Sequence, residues 1–247
     1  MAETSVVIPC WITDKLQLDF TYRCIGSIRD TSDVELIVVN NGSFLGKDFM
    51  KDEADLYIEN PKNFGYAKAI NQGFAFATGK YLVAGNNDYY MSDGWEQAMI
   101  EVLNNIPEAG ISCLHVEGSP KPKICWQEQG TPGGWWMIRK TLWHRLGEFD
   151  EDFFNVFADY DFLWRMWEIG RAVFATPKVT VRHYGEGTLS KFQHRKHEFN
   201  RGQWLLLNKW RNKQNLIKYA GSVLSTTDID KWLEENIEYS KSVDYSS

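Results

Sequence analysis

At 247 residues, 43% hydrophobic and 24% charged, the chain can bury one substantial core, which excludes disorder as its dominant state. No run reaches the roughly 18 to 20 apolar residues that a membrane-spanning helix needs. The first residues lack a basic start followed by an apolar run, so a cytoplasmic location, with peripheral membrane contact as the variant, is the expectation. Cys10, Cys24, Cys113 and Cys125 are widely scattered and offer neither a disulfide framework nor zinc-type spacing. The net charge of −6 argues against a protein that coats nucleic acid, but it is unevenly spread. Ser190 to Lys218 holds eight Lys or Arg against the single acid Glu198, whereas residues 1–189 carry −9 by difference.

Taken in chain order, short β-branched runs end in turn residues and are followed by segments with apolar positions at helical spacing, which predicts an α/β fold. Ser5-Val-Val-Ile-Pro9 reads as a buried strand, and Leu16, Phe20, Cys24 and Ile28 fall along one face of a following helix. Val34 to Val39 is a second strand, stopped by the turn Asn40-Asn-Gly42, and Asp55 to Ile58 a third. Tyr66 to Thr78 is a helix with Gly79 as its C-cap, and Lys80 to Ala84 is a strand running into Gly85-Asn-Asn-Asp88. A helix from about Gly94 to Asn104 and a strand from Gly110 to Leu114 follow, and the Pro/Gly-rich stretch from Glu117 to Pro132 reads as an irregular or hairpin excursion. Beyond Gly133 the pattern predicts a short helix after Arg139, an acidic loop, a helix near Asp161 to Gly170, and strands around Ala172 and Val179. Crossovers this short imply a mostly parallel central sheet flanked by helices, with ligands held by the loops that follow the strands.

Several of those loops carry chemistry that has two readings. Asp88, directly after a buried strand, suits a hard divalent cation held against a diphosphate, yet Asn86-Asn-Asp88 serves equally as a solvated turn. His183 after a strand is a metal ligand or a satisfied imidazole. Asp159 and Asp161, beside a helix start, either accept a proton from a hydroxyl or simply favour the helix N-terminus. Gly133-Gly-Trp-Trp136 joins close backbone approach to a flat indole platform for a sugar ring, or is two core tryptophans after a turn. Lys68, in Asn63-Phe-Gly-Tyr-Ala-Lys68, contacts a base or phosphate, or is an ordinary solvated cation.

In this order the motifs resemble family 2 glycosyltransferases of GT-A (nucleotide-diphospho-sugar transferase) fold, in the style of the rhamnosyltransferase-like branch, from Ser5 to Thr188. The resemblance is carried by Val6-Val-Ile-Pro9, Val39-Asn-Asn-Gly-Ser43, Asn63-Phe-Gly-Tyr-Ala67, Asn86-Asn-Asp88, Arg139-Lys140, Gly147-Glu-Phe-Asp-Glu-Asp-Phe-Phe154, Asp159-Tyr-Asp161, Trp164-Arg165 and His183. It implies a metal-dependent inverting transferase that moves a sugar from a nucleotide-sugar donor to a hydroxyl acceptor. Pro9, Trp11, Asn40, Asn63, Gly65, Lys68, Asn87 and Asp88 would contact the donor, Asp88 and His183 would hold Mn²⁺ or Mg²⁺, and Asp159 would be the base. Gly134, Trp135, Trp136 and Asp161 would shape the acceptor side. Asn40 stands where the family usually has Asp, and Ala158 where it usually has Glu; both keep open a sugar- or nucleotide-binding module without turnover. A nucleotidyltransferase on a related sheet is a third reading.

The expected organisation is a catalytic domain over residues 1–189 and a helical extension over 190–247. The basic, aromatic segment 190–218 has three readings: packing of Trp204, Leu207 and Trp210 on the domain, contact with a membrane interface, or contact with a polyanion such as DNA. The acceptor is accordingly a glycan, a glycolipid or modified DNA.

Overall fold

The computed structural model describes residues 2–120, 125–128, 133–185, 194–213 and 229–241. Its centre is a nine-stranded sheet with strands β1 (Thr4–Cys10), β2 (Glu35–Asn41), β3 (Leu56–Asn60), β4 (Tyr81–Gly85), β5 (Tyr89–Tyr90), β6 (Ala109–Val116), β7 (Trp126–Glu128), β8 (Trp135–Arg139) and β9 (Ala172–His183). The spatial order is β3-β2-β1-β4-β8-β6-β9-β5, with β7 paired to β9. The first four strands in space are parallel, as the short crossovers require. β8 then enters antiparallel between β4 and β6, and β5 and β7 pair antiparallel with β9. The sheet is therefore mixed rather than mostly parallel; the α/β class with flanking helices holds.

Strand alternation sends successive side chains to opposite faces, and this sorts two cores. On one face Val7, Ile37, Val39, Leu82, Trp136 and Ile138 meet α3 (Tyr66–Phe76), α5 (Lys140–Leu146), α6 (Ala158–Glu168) and α7 (Arg195–Trp210). On the other, Val6, Ile8, Leu36, Val38, Val83, Trp135 and Met137 meet α1 (Lys15–Thr31), α2 (Lys47–Glu53) and α4 (Trp95–Asn105). Leu206, Leu207 and Trp210 of α7 belong to the first core, and Leu233 of the short helix α8 (Ile229–Glu235) joins them.

Helix boundaries follow local chemistry. Asp14 caps α1 by accepting from Gln17 N at 2.9 Å, while Gln17 reaches back to Thr13 N at 2.7 Å, a reciprocal cap. The buried face of α1 is Gln17, Thr21, Cys24, Ile25, Ser27 and Ile28, so Leu16 at the first turn is exposed instead. α3 ends at Phe76 with Ala77 as its C-cap, not Gly79. Gly79 is needed for approach: a Cβ there would lie 2.6 Å from the backbone nitrogen of Ser5. Expected strands around Ala172 and Val179 are one strand, β9, whose pairing with β6 slips between Leu114↔Thr176 and His115↔Thr180, next to Pro177, which has no N–H to give the ladder. Of the Glu117 to Pro132 excursion, residues 121–124 and 129–132 lie outside the described residues; 126–128 form β7.

Candidate active site

A cavity of about 600 Å³ opens where the parallel strands end, on the face that carries α3, α6 and α7. Strand parity selects most of the strand-end residues that reach it, Cys10 at the very end of β1 being an exception. Pro9 follows Val7, and Asn41 follows Ile37 and Val39, on the cavity face, and both line it; Trp136 does so from β8. The same alternation turns Asn40 and Trp135 away. Asn40 is fully buried, donates from Nδ2 to the Tyr57 hydroxyl at 2.7 Å and accepts from Ser43 N at 2.8 Å. Trp135 packs edge-on against Trp95 in the opposite core.

The loop after β4 supplies Asn86, Asn87 and Asp88 to the cavity. Asp88 is only 5% exposed, and its Oδ2 lies 3.1 Å from His183 Nε2 across the β5–β9 ribbon, which pairs Tyr89 with His183. The Tyr89 ring stacks on the imidazole with centroids 4.3 Å apart, and its hydroxyl accepts from Gly134 N at 3.2 Å. Burial pushes the Tyr89 hydroxyl up to about 12, so it stays protonated. Gly134 lets the Asn86 amide lie against the backbone: a Cβ would sit 2.3 Å from Asn86 Nδ2 and displace it.

Asp88 Oδ1 is buried and has no hydrogen-bond partner among the described residues. An orphaned buried carboxylate oxygen beside an imidazole nitrogen is a donor set that fits a divalent cation. Among the described residues no group of three or more His, Cys, Asp or Glu side chains is gathered, so Asp88 and His183 form a pair and not a complete protein-only cage.

Asp159 faces the same cavity from the first turn of α6. Its Oδ1 accepts from Tyr160 N at 3.0 Å, and burial outweighs that bond, raising the carboxyl from 3.8 to about 6. Tyr66 and Tyr160 flank it; burial, and then the Asp159 charge, raise both phenols, which remain neutral donors. The residue capping α6, Phe157, is the one non-glycine at positive φ among the described residues, at 70°. Strain of this kind costs about 1–3 kcal/mol and persists only where surrounding contacts fix it.

Of the residues singled out in the sequence, Pro9, Trp11, Asn63, Asn87, Asp88, Gly134, Trp136, Asp159 and His183 line this one cavity. Asn40, Gly65, Lys68, Trp135 and Asp161 do not. Gly65 has φ 87° and lets the backbone meet Phe154, whose carbonyl oxygen would be 2.4 Å from a Cβ there. Lys68 pairs with Glu151 at 3.4 Å and lies over the Phe64 ring. Asp161 is fully buried and saturated: Arg165 at 3.0 Å, Lys209 at 2.9 Å and the Trp210 indole at 2.8 Å hold it. It pins α7 to α6. The sequence reading missed Cys10, Asn41, Tyr66, Asn155, Val156, Phe157, Tyr160, Gly185, Arg195 and Phe199 in the lining. Strand parity would have found Asn41; the 155–157 loop carries no local signal.

The basic segment spends much of its charge internally. Lys209 bonds Asp150 and Asp161, Lys213 bonds Glu168, and Arg201 donates to the carbonyls of Asp152 and Lys241. Lys191 and Lys218 lie outside the described residues. Among the described residues no helix is long and apolar enough to cross a membrane.

The architecture defines a class, the GT-A fold. Three solved structures share it: GalNAc-T7 with UDP, GalNAc and Mn²⁺ (TM-score 0.68, 12% identity, 97% of this chain and 55% of that chain), the mannosyltransferase PcManGT of Pyrobaculum calidifontis with GDP-Man and Mn²⁺ (0.67, 16%, 96% and 74%), and S. aureus TarS 1-349 (0.62, 13%, 96% and 71%). The chain itself belongs to glycosyl transferase family 2, whose model matches residues 5–167. A curated relative, the uncharacterized glycosyltransferase EpsJ of Bacillus subtilis (strain 168), is 30% identical over 104 residues, which is 39% of this chain and 29% of that protein.

Proposed function

We propose that this chain transfers a sugar from a nucleotide-diphosphate-sugar donor to an acceptor hydroxyl, with inversion at the anomeric carbon. The observation that carries the reading is the convergence of Asp88, His183 and Asp159, distant in sequence, on one cavity. Asp88 and His183 would hold Mn²⁺ or Mg²⁺, a choice supported by the orphaned Oδ1 and by the Mn²⁺ in two of the related structures. Such an ion supplies positive charge where negative charge develops on the departing diphosphate. Asp159 accepts the acceptor hydroxyl's proton as that oxygen attacks. A base contributes about 10²–10⁴ in rate, and a carboxyl raised to about 6 is nearer the operating pH than an ordinary one while still ionised at pH 7. Pro9, Trp11, Asn41 and Asn63 surround the nucleotide end; Gly134, Trp136 and Tyr160 form the acceptor wall. The boundary between the catalytic domain and its extension is proposed at 189/190.

The test is release of nucleoside diphosphate from a panel of UDP- and GDP-sugars with Mn²⁺, for the parent and Asp88→Ala. The parent is expected to release nucleotide only with the ion, and Asp88→Ala to lose at least about tenfold in ion-dependent donor affinity. Release of pyrophosphate would convert the reading to nucleotidyl transfer. Binding with no release from any donor would leave a binding module, and identical ion titrations for the two proteins would remove Asp88 from its role.

A further inference from the structure

Glu198 lies in the first turn of α7, where an acid suits the helix dipole, yet it is only 2% exposed, so its carboxylate needs partners inside the protein. Its Oε1 accepts from two consecutive backbone amides, Asn155 N and Val156 N, both at 3.0 Å. Oε2 has no partner among the described residues. The amides it holds belong to the loop that lines the cavity immediately before Phe157, the strained cap of α6, and Asp159 lies two residues beyond that cap. Two more α7 residues on the same side grip the same loop. Arg201 donates to the Asp152 carbonyl at 2.8 Å, and at Gly202 a Cβ would sit 2.6 Å from Phe157 Cδ2 and 3.2 Å from the Val156 carbonyl oxygen. From the other side, Tyr66 N at the start of α3 donates to the Phe154 carbonyl at 2.7 Å and to Asn155 Oδ1 at 3.1 Å.

We propose that Glu198 is a positioning residue for the transfer reaction: from α7 it clamps the 155–156 amides, fixes the left-handed turn at Phe157, and so sets where the Asp159 carboxylate stands in the cavity. This rests on the reading of Asp159 as the base. It makes the region after residue 190 part of the catalytic apparatus rather than an appendage. A carboxylate suits the task because one oxygen can accept two parallel N–H groups, and charge-assisted bonds of this kind are roughly twice as strong as neutral ones. Phe157 could not keep a positive φ if the loop were free, since the strain would relax once its neighbours were released.

The experiment uses the full chain with Glu198→Ala and Glu198→Gln. Amide hydrogen exchange at Asn155 and Val156 is expected to speed up at least about tenfold in Glu198→Ala and by a few fold in Glu198→Gln, whose amide oxygen still accepts, while β1 and β4 keep their protection. Nucleotide release from the donor selected above should lose roughly 10- to 100-fold in kcat in Glu198→Ala, with KM for the donor within about threefold. In an Asp159→Asn background, Glu198→Ala should add no further loss, a non-additivity that a purely stabilising residue would not give. Unchanged exchange at 155–156 would overturn the proposal, as would faster exchange with an unaltered kcat. Should Glu198→Ala fail to fold, the same readings on Glu198→Gln decide. If Asp159→Asn alone leaves release intact, the base assignment falls while the exchange result still reports on the clamp.

Discussion

Replacing Asp159 by asparagine should move catalysis and stability in opposite directions. The carboxyl is raised from 3.8 to about 6, chiefly by burial, so the folded state binds its proton more tightly than the unfolded chain does. The sign follows: the stabilising contribution is complete below about pH 4 and is lost as pH rises through about 6. At about 1.36 kcal/mol per pH unit, keeping Asp159 ionised at pH 7.5 costs about 3 kcal/mol, and exposure of part of the side chain to the cavity brings this to roughly 2 kcal/mol. The substituted side chain would retain an oxygen for the Tyr160 amide and carry no charge. The variant is therefore expected to melt roughly 4–8 °C above the parent at pH 7.5, with the gap closing toward pH 4. Its turnover should fall by about 10²–10⁴, and parental turnover should decline below pH 6 as the base protonates. Thermal melts from pH 4 to 8 and nucleotide release on the same samples make the measurement. A variant that turns over normally, or is less stable than the parent at pH 7.5 as well as at pH 4, would refute the reasoning.

Two further substitutions separate the cavity wall from the helix packing behind it. Gly134→Ala places a methyl 2.3 Å from Asn86 Nδ2 and 3.0 Å from Tyr89 Cε2. The protein should fold with a loss of about 1–3 kcal/mol in urea melts and bind nucleotide sugar at least about tenfold more weakly by calorimetry; parental affinity would show that Asn86 yields without moving the site. Asp161→Ala removes the buried acceptor of Arg165, Lys209 and the Trp210 indole; Lys209 keeps Asp150 and Arg165 keeps the Leu146 and Glu148 carbonyls, so the loss should be roughly 1–3 kcal/mol of stability while turnover per folded molecule persists. An Asp161 variant that is stable yet inactive would return that residue to the reacting centre.

The parallel half of the fold was legible because its signals are local. Runs such as Val6-Val-Ile8 and Leu36-Ile-Val-Val39, short, β-branched and bounded by turn residues, read as strands buried on both faces, and the polar residues at their ends mark the ligand edge. β8 was not, because Trp135-Trp-Met-Ile-Arg139 lies next to two glycines and its place between β4 and β6 is set by pairings remote in sequence. Within the site, Asp88, Asp159 and His183 were visible as residue types in a recurring order, but their shared cavity was not. Asn40 and Trp135 were misplaced by one position each, and a one-residue step along a strand exchanges the cavity face for the opposite core. Asp161 carried the same local appearance as Asp159. Two residues along a helix rotate a side chain by about 200°, which takes Asp161 away from the cavity and onto Lys209 and Trp210.

The site asks for two carboxylates with different surroundings in one enclosure. In the proposed reaction Asp88, paired with His183 and with one oxygen open, would bind a cation, and Asp159, holding only a backbone amide, would take a proton near neutral pH. Holding them apart in character demands a rigid wall between α3 and α6, and no single element provides it. The 154–157 loop contributes to it, held by Tyr66 N from α3 and by Glu198 from α7. Removing either grip would expose Asp159 further to water and lower its carboxyl toward 3.8, losing the distinction between the two acids before the fold itself is lost.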